Sequence, residues 1–332
     1  MRVWIVGTGL GAFFLVVAAC TSGDPAAASA GADPTETSTI DAGATAVALA
    51  DATAALTSAA DGAVSSPDGA TLDAAPAPTV TFTPGMLVVN GTARTYMLGV
   101  PSTYDPGRSY PLVMLFHGNP GTIEQMMAGQ PFETVSQQDA IVVYLQASNA
   151  DGQAAGAFDW DLNATSSNVD IPFVHQLPAE LVTNKGLHID PTRIYGYGYS
   201  GGAFFLQSLQ CVGADVFHAL ACNAGGVPNG GGSSCSSCST NTVPTILIHG
   251  QADDVVGPAS GEAEARCQAQ SSGCTTTQTA TTPSPCTLYD GCRSAVEWCY
   301  VPGITHNPPW SASLPTAWAF FTGHGSLISA SR

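Results

Sequence analysis

Arg193-Ile-Tyr-Gly-Tyr-Gly-Tyr-Ser200-Gly-Gly-Ala-Phe-Phe-Leu206 is the stretch on which the reading of this chain turns. Ile194, Tyr195 and Tyr197 favour a strand, and the apolar residues from Ala203 to about Cys211 suit a helix. Between them stands Gly198-Tyr199-Ser200-Gly201-Gly202, a G-x-S-x-G pattern. The bare pattern is weak in a chain rich in glycine and serine. Set between strand and helix it predicts a sharp turn with the serine hydroxyl exposed at its tip. Glycines two residues before and after the serine let neighbouring backbone pass closely. A serine hydroxyl is a weak nucleophile until a base removes its proton, so a His and an acid must follow.

Working outward, several apolar runs read as buried strands. Leu112 to Phe116, Ala140 to Leu145, Ala219 to Ala221, Val243 to Ile248 and Val296 to Val301 are of this kind. Helices are expected around Ile123 to Ala128, over Asp170 to Thr183 and over Pro315 to Phe321. Asn90-Gly91 between Met86 to Val89 and Ala93 to Val100 predicts a hairpin. Apolar strands alternating with helices predict an α/β fold, a mostly parallel central sheet with helices on both faces.

Upstream the composition changes. Arg2 is followed by an apolar run from Val3 to Val17 and then Ala18-Ala19-Cys20. The run is too short for an ordinary spanning helix and small residues precede the cysteine. Val17-Ala18-Ala19-Cys20 resembles a bacterial lipoprotein box, which implies a signal peptide over 1–19, lipidation of Cys20, attachment to a membrane and export to the cell envelope or beyond. A plain secretory signal is the alternative. From 20 to 79 Ala, Thr, Ser, Asp, Gly and Pro dominate, and we read a disordered tether. The folded domain is expected over 80–332. Net charge is −17, with Lys and Arg together numbering 8 among 332 residues. Such a chain offers no basic stripe for nucleic acid.

In open α/β sheets, function gathers at the carboxyl ends of the strands. Ser200 follows one strand, Asp253 and Asp254 follow the strand ending in His249-Gly250, and His306 follows the last strand. The order Ser, Asp, His is that of an α/β-hydrolase. His306 would take the Ser200 proton, and an aspartate would hold the imidazole tautomer. Two adjacent carboxylates leave the acid open at this point. His324 is a rival base in the tail, while His117 and His249 read as structural. The oxyanion of acyl transfer needs preorganised donors. The expected donors are the backbone N–H of Gly201 and that of Asn119, in the loop after the Leu112 to Phe116 strand. Phe158, Trp160 and Trp310 are expected in loops near the site, where they could stack on an aromatic acyl group or a sugar.

Several segments together carry a family resemblance. They are Pro111-Leu-Val-Met-Leu-Phe-His-Gly118, Ile141-Val-Val-Tyr144, Asp170-Ile-Pro-Phe-Val174 and Ile189-Asp-Pro-Thr-Arg-Ile-Tyr-Gly-Tyr-Gly-Tyr-Ser-Gly-Gly202. His249-Gly-Gln-Ala-Asp253 and Gly303-Ile-Thr-His306-Asn-Pro-Pro-Trp310 complete the set. From about Val80 to Phe321 the chain resembles the secreted α/β-hydrolase esterases that include polyhydroxybutyrate depolymerases and feruloyl and acetyl xylan esterases. The resemblance implies a serine esterase acting on feruloyl, acetyl or short hydroxyalkanoate esters, small or polymeric, with no cofactor. It also favours Asp253 over Asp254, because the family's acid stands four residues after the histidine of His-Gly-x-Ala-Asp. Gly201 stands where the family often has Asn, Gln or Ala, and Thr305 where it usually has Gly. A prolyl-oligopeptidase-like serine peptidase and a catalytically silent surface-binding lipoprotein are the rival readings.

With Cys20 lipidated, nine cysteines remain, so at least one cannot pair within the chain. Most are expected as disulfides across the Gly/Ser/Thr-rich insertions around the acid and the base. Cys235-Ser-Ser-Cys238 is read as a disulfide and not as half of a zinc site, since no second pair or suitably spaced His accompanies it. The family resemblance implies a bond between Cys274 and Cys292. No metal is expected.

Overall fold

The computed structural model describes residues 80–148, 158–228 and 242–324. The expected signal peptide, tether and lipidated Cys20 lie outside the described residues, as do Cys235 and Cys238. Among the described residues no helix is long and apolar enough to cross a membrane.

The chain opens with the antiparallel hairpin β1 (Val80–Val89) and β2 (Thr92–Pro101), turning at Asn90 and Gly91, both with positive φ. Then follow β3 (Tyr110–Phe116), α1 (Ile123–Gly129), the short α2 (Glu133–Ser136), β4 (Ile141–Leu145), α3 (Ile171–Thr183), β5 (Ile189–Tyr199), α4 (Gly201–Val212) and β6 (Ala219–Asn223). The second half carries β7 (Thr245–Gly250), α5 (Pro258–Ser271), β8 (Gln278–Ala280), β9 (Cys286–Tyr289), β10 (Val296–Val301) and α6 (Ser313–His324). Their ten-stranded sheet runs β1-β2-β4-β3-β5-β6-β7-β10-β9-β8. The strands from β4 to β10 in that order are mutually parallel. The β1–β2 pair flanks them on one edge and β9–β8 on the other, both antiparallel.

Because the central strands are covered on both faces, their sequences are largely apolar, and β3 and β4 are buried throughout. Its residues divide between two layers. Leu112, Met114 and Phe116 pack with Phe173, Leu177, Phe205 and Leu209 of α3 and α4. Val113 and Leu115 pack on the other face with Ile123, Met126, Ala317 and Phe321 of α1 and α6. The chain leaves β3 for β4 on one side and returns to β5 on the other. That reversal opens a crevice beyond the carboxyl ends of β3 and β5, the place where α/β sheets bind ligands.

The expected strands and helices are present, with ends shifted by a few residues. Helix α5 and strands β8 and β9 were not expected. The α5 sequence is built mostly of Ala, Gly, Ser, Glu and Gln and shows no apolar stripe. It packs by close approach: a Cβ on Gly261 would come within 2.4 Å of the His249 ring. The β8–β9 ribbon is short and largely exposed, and it is tied down covalently. Cys286 faces Cys299 across β9 and β10 in a disulfide, and a second bond joins Cys274 to Cys292. Cys211 and Cys267 are disulfide-bonded as well. Among the described residues Cys222 is free and buried.

Cys222 on β6 meets Gln207 of α4, whose Nε2 lies 3.5 Å from its sulfur. Glu264 of α5 is buried beside them, 2% exposed. Burial holds the Glu264 carboxyl well above the ordinary value of 4.5. The unfolded chain therefore releases this proton at lower pH than the folded chain, so Glu264 lowers stability progressively as pH rises above about 4.5. Replacing it by glutamine removes that contribution. The expected result for Glu264→Gln is a melting temperature that gains a few degrees on the wild type as pH is raised from about 5 to about 8. Parallel pH dependences of the two melting curves would contradict it.

Candidate active site

Ser200 occupies the turn between β5 and α4 with φ 52° and ψ −119°. Positive φ in a residue with a Cβ costs on the order of 1–3 kcal/mol, and surrounding structure has to impose it. The Ser200 N–H donates to the Asn223 carbonyl of β6 at 2.8 Å. A Cβ on Gly198 would lie 2.5 Å from Gly202 backbone, and one on Gly202 2.2 Å from the Phe116 carbonyl oxygen. The two glycines of the motif are thus what allow α4 to start against β3 and β5.

The Ser200 Oγ–H donates to His306 Nε2 at 3.0 Å. His306 Nδ1–H faces the Asp253 carboxylate, 2.9 Å from Oδ2 and 3.1 Å from Oδ1. The two remaining donors to Asp253 Oδ1 are the backbone N–H groups of Val255 and Val256, at 3.0 and 2.8 Å. Asp253 is 4% exposed and His306 5% exposed, while Asp254 points to solvent. The ambiguity between the two carboxylates is resolved by geometry: only Asp253 turns inward under the imidazole. His324 sits at the end of α6 with its ring 4.7 Å from that of Phe320.

His249 lies on the other side of Asp253, its Nε2 3.5 Å from Oδ2. That nitrogen donates to the Val256 carbonyl at 2.9 Å. Burial lowers the His249 pKa, so the ring is neutral and serves to hold the acid's loop. Tyr199, which sequence reasoning passed over, does the same for the base. Its OH donates to the His306 carbonyl at 2.6 Å and reaches Asn307 Oδ1 at 2.8 Å. Its position next to Ser200 in the motif was the signal available. Thr305 is exposed and donates through Oγ1 to the Asn307 carbonyl at 3.1 Å.

The loop His117-Gly118-Asn119 lies against the start of α4. A Cβ on Gly201 would come 2.6 Å from the Asn119 backbone nitrogen and 2.4 Å from its Cγ. The Asn119 backbone nitrogen therefore lies close to Gly201, the residue that follows the serine. Absence of a side chain at 201 is what makes room for Asn119. The Asn119 side chain is spent on Trp160: it accepts from the Trp160 N–H at 3.0 Å and donates to the Trp160 carbonyl at 3.3 Å.

Trp160 corrects a sequence expectation. It is 1% exposed, its ring stacked on Phe205 and tilted against Phe116, and its Nε1–H donates to the His117 carbonyl at 2.8 Å. A ring enclosed on these sides has no face for a substrate; Trp160 instead holds the loop of His117 and Asn119. Phe158 bridges to Gly121 through two backbone hydrogen bonds of 2.9 and 3.2 Å and is half-buried, as is Trp310. His117 is buried, and burial holds its pKa down to about 4. Its Nδ1–H donates to the Gly118 carbonyl at 2.7 Å, and Nε2 accepts from Ala147 N–H at 3.1 Å and Gln146 Nε2 at 2.8 Å.

Set beside known proteins, the chain shares 26% identity over 253 residues with the probable feruloyl esterase C of Aspergillus terreus, covering 73% of this chain and 88% of that one. A poly(3-hydroxybutyrate) depolymerase of Ralstonia pickettii is 29% identical over 130 residues, 37% of this chain and 27% of that protein. Among solved structures, the acetyl xylan esterase of Aspergillus awamori superposes with a TM-score of 0.55 at 15% identity, covering 72% of this chain and 99% of that one. No family model matches the chain. The fold is that of the α/β-hydrolases.

Three substitutions test the arrangement of these residues. Asp253→Asn leaves the shape of the site but stabilises neither the imidazole tautomer nor the imidazolium. It is expected to lower kcat by roughly 10⁴-fold, while Asp254→Asn stays within about twofold of wild type. Gly201→Ala drives a methyl group into Asn119 and displaces its backbone N–H, the donor expected for the oxyanion. A loss of about 10²-fold in kcat with an unchanged circular dichroism spectrum is the expected outcome. Equal activity in Asp253→Asn and Asp254→Asn, or full activity in Gly201→Ala, would refute the corresponding role.

Proposed function

We propose that this chain is a serine carboxylic-ester hydrolase that works through an acyl-enzyme on Ser200. One observation carries the reading: Ser200, His306 and buried Asp253 form a continuous hydrogen-bonded line at the mouth of the β3–β5 crevice, next to the loop that carries Asn119. Ser200 Oγ attacks the ester carbonyl carbon as its proton moves to His306 Nε2. The carbonyl oxygen, now an oxyanion, is received by the Gly201 and Asn119 N–H groups. His306 returns the proton to the leaving alkoxide, the alcohol departs, and the acyl group remains on Ser200. Water, deprotonated by His306, attacks that acyl carbon, and the reverse proton transfer frees Ser200 and the acid.

For the substrate class we propose feruloyl or acetyl esters of plant polysaccharide, or short hydroxyalkanoate esters. The names of the relatives support this, and so do Phe158 and Trp310, which are half-buried rather than enclosed. We further propose that the protein is exported and anchored through lipidated Cys20, a reading supported by the apolar run before Ala18-Ala19-Cys20 and by the disulfides of the folded domain.

The test is hydrolysis of methyl ferulate and p-nitrophenyl acetate by the full chain, alongside Ser200→Ala. Turnover of at least one ester is expected, lost by more than about 10³-fold in the variant. Fluorophosphonate should label Ser200 in the wild type alone. Labelling with no ester turnover would move the reading to a peptidase, and absence of both in folded protein would leave the silent binder.

A further inference from the structure

The loop that supplies Asn119 is held from a distance. We propose that the buried ion pair between Arg94 of β2 and Asp170 at the N-cap of α3 is a positioning pair for the oxyanion hole. This inference rests on the esterase reading above.

Neither residue touches the triad, and neither strand β2 nor helix α3 carries a catalytic group. Arg94 is 4% exposed and Asp170 fully buried. Both charges are extensively hydrogen-bonded. Besides Arg94, the Asp170 carboxylate accepts from Ser148 N–H at 3.0 Å, Ser148 Oγ at 3.2 Å and Asp161 N–H at 2.7 Å. Arg94 donates to the carbonyls of Gln146 and Val169, each at 3.1 Å, and lies 4.6 Å over the Phe173 ring. Burying two charges is expensive, and an apolar pair of similar volume is often equally stable. Fold stability alone is therefore a poor account of this pair. What it adds is the fixed placement of two segments, 146–148 and 160–161.

Both segments end on the same loop. On the first route, Gln146, with its carbonyl held by Arg94, sends its side chain to His117 Nε2 at 2.8 Å and accepts the Ile123 N–H at 3.1 Å. The next residue, Ala147, donates its N–H to the same His117 nitrogen at 3.1 Å. On the second route, Asp161 N–H is fixed by Asp170, and the preceding Trp160 holds the Asn119 side chain at both ends and the His117 carbonyl through Nε1. The oxyanion loop is thus gripped on its imidazole side and its amide side by segments that share one anchor. A shift of about 1 Å in the Asn119 amide would be felt in the transition state far more than in substrate binding.

The test compares wild type with Asp170→Asn and Arg94→Lys as full chains. The readouts are p-nitrophenyl acetate kinetics per folded molecule, with the folded fraction taken from circular dichroism, and inhibition by an alkyl trifluoromethyl ketone. That ketone forms a hemiketal oxyanion with a serine nucleophile and so reports on the oxyanion donors. For Asp170→Asn we expect kcat to fall about tenfold or more, KM to stay within about twofold, and ketone affinity to fall in step with kcat. Arg94→Lys keeps a cation opposite Asp170 but cannot reach both carbonyls, so an intermediate loss is expected; it carries the test if Asp170→Asn does not fold. Wild-type kcat and ketone affinity per folded molecule, with only thermal stability reduced, would overturn the proposal. A wild type inactive on every ester would overturn the esterase reading and this inference with it.

Discussion

The strained backbone at Ser200 is the constraint on which the rest of the structure depends. A serine at φ 52° sits in a region that L side chains rarely adopt. The turn survives because its flanks are rigid: β5 is fully buried from Ile194 to Gly198, and α4 is buried along most of its length. Close approach of Gly198 to Gly202, and of Gly202 to the end of β3, leaves the chain no relaxed alternative. The same turn brings the Ser200 hydroxyl to His306 Nε2 and starts α4 at Gly201, close against Asn119.

Around that turn, each further element of the site is fixed by polar groups withdrawn from water. Asp253 is held by two backbone N–H groups and by the loop that neutral His249 closes. His306 is held on one side by Asp253 and on the other by Tyr199 through its own carbonyl. Neutral His117 lets one ring nitrogen donate and the other accept, an arrangement that its protonation would break. Buried polar groups of this kind stabilise only when every partner is present, so the same bonds that hold the fold also set the geometry of the chemistry.

The acid and base loops are separated by more than fifty residues of weakly patterned chain, from Asp253 to His306. Helix α5 and the β8–β9 ribbon fill that interval with little apolar surface of their own. Covalent bonds supply part of what packing does not. Disulfides closing separations of 18 and 13 residues each remove about 3 kcal/mol of unfolded-state freedom in the chain-entropy account. The bond between Cys286 and Cys299 fastens the ribbon to β10, the strand after which His306 follows.

Much of this was legible in the linear chain. Continuous apolar runs such as Leu112 to Phe116 announce strands buried on both faces, and glycines around Ser200 announce a turn, because both depend on local residue chemistry. Helix α5 was not legible, since small residues packing by close approach leave no apolar stripe. The choice between Asp253 and Asp254 could not be made from residue types alone, as adjacent carboxylates differ only in the direction the folded loop gives them. Trp160 shows the same limit from the other side. Its position near the site could be inferred, but not that its ring is enclosed and its N–H committed to His117. By itself, then, the sequence determined the strand-turn-helix at Ser200, the alternating sheet and the order in which serine, aspartate and histidine follow strand ends. Tertiary structure alone decided which carboxylate faces the imidazole, which aromatic ring is enclosed and which buried ion pair ties the 146–148 and 160–161 segments together, because these depend on contacts between residues far apart in the chain.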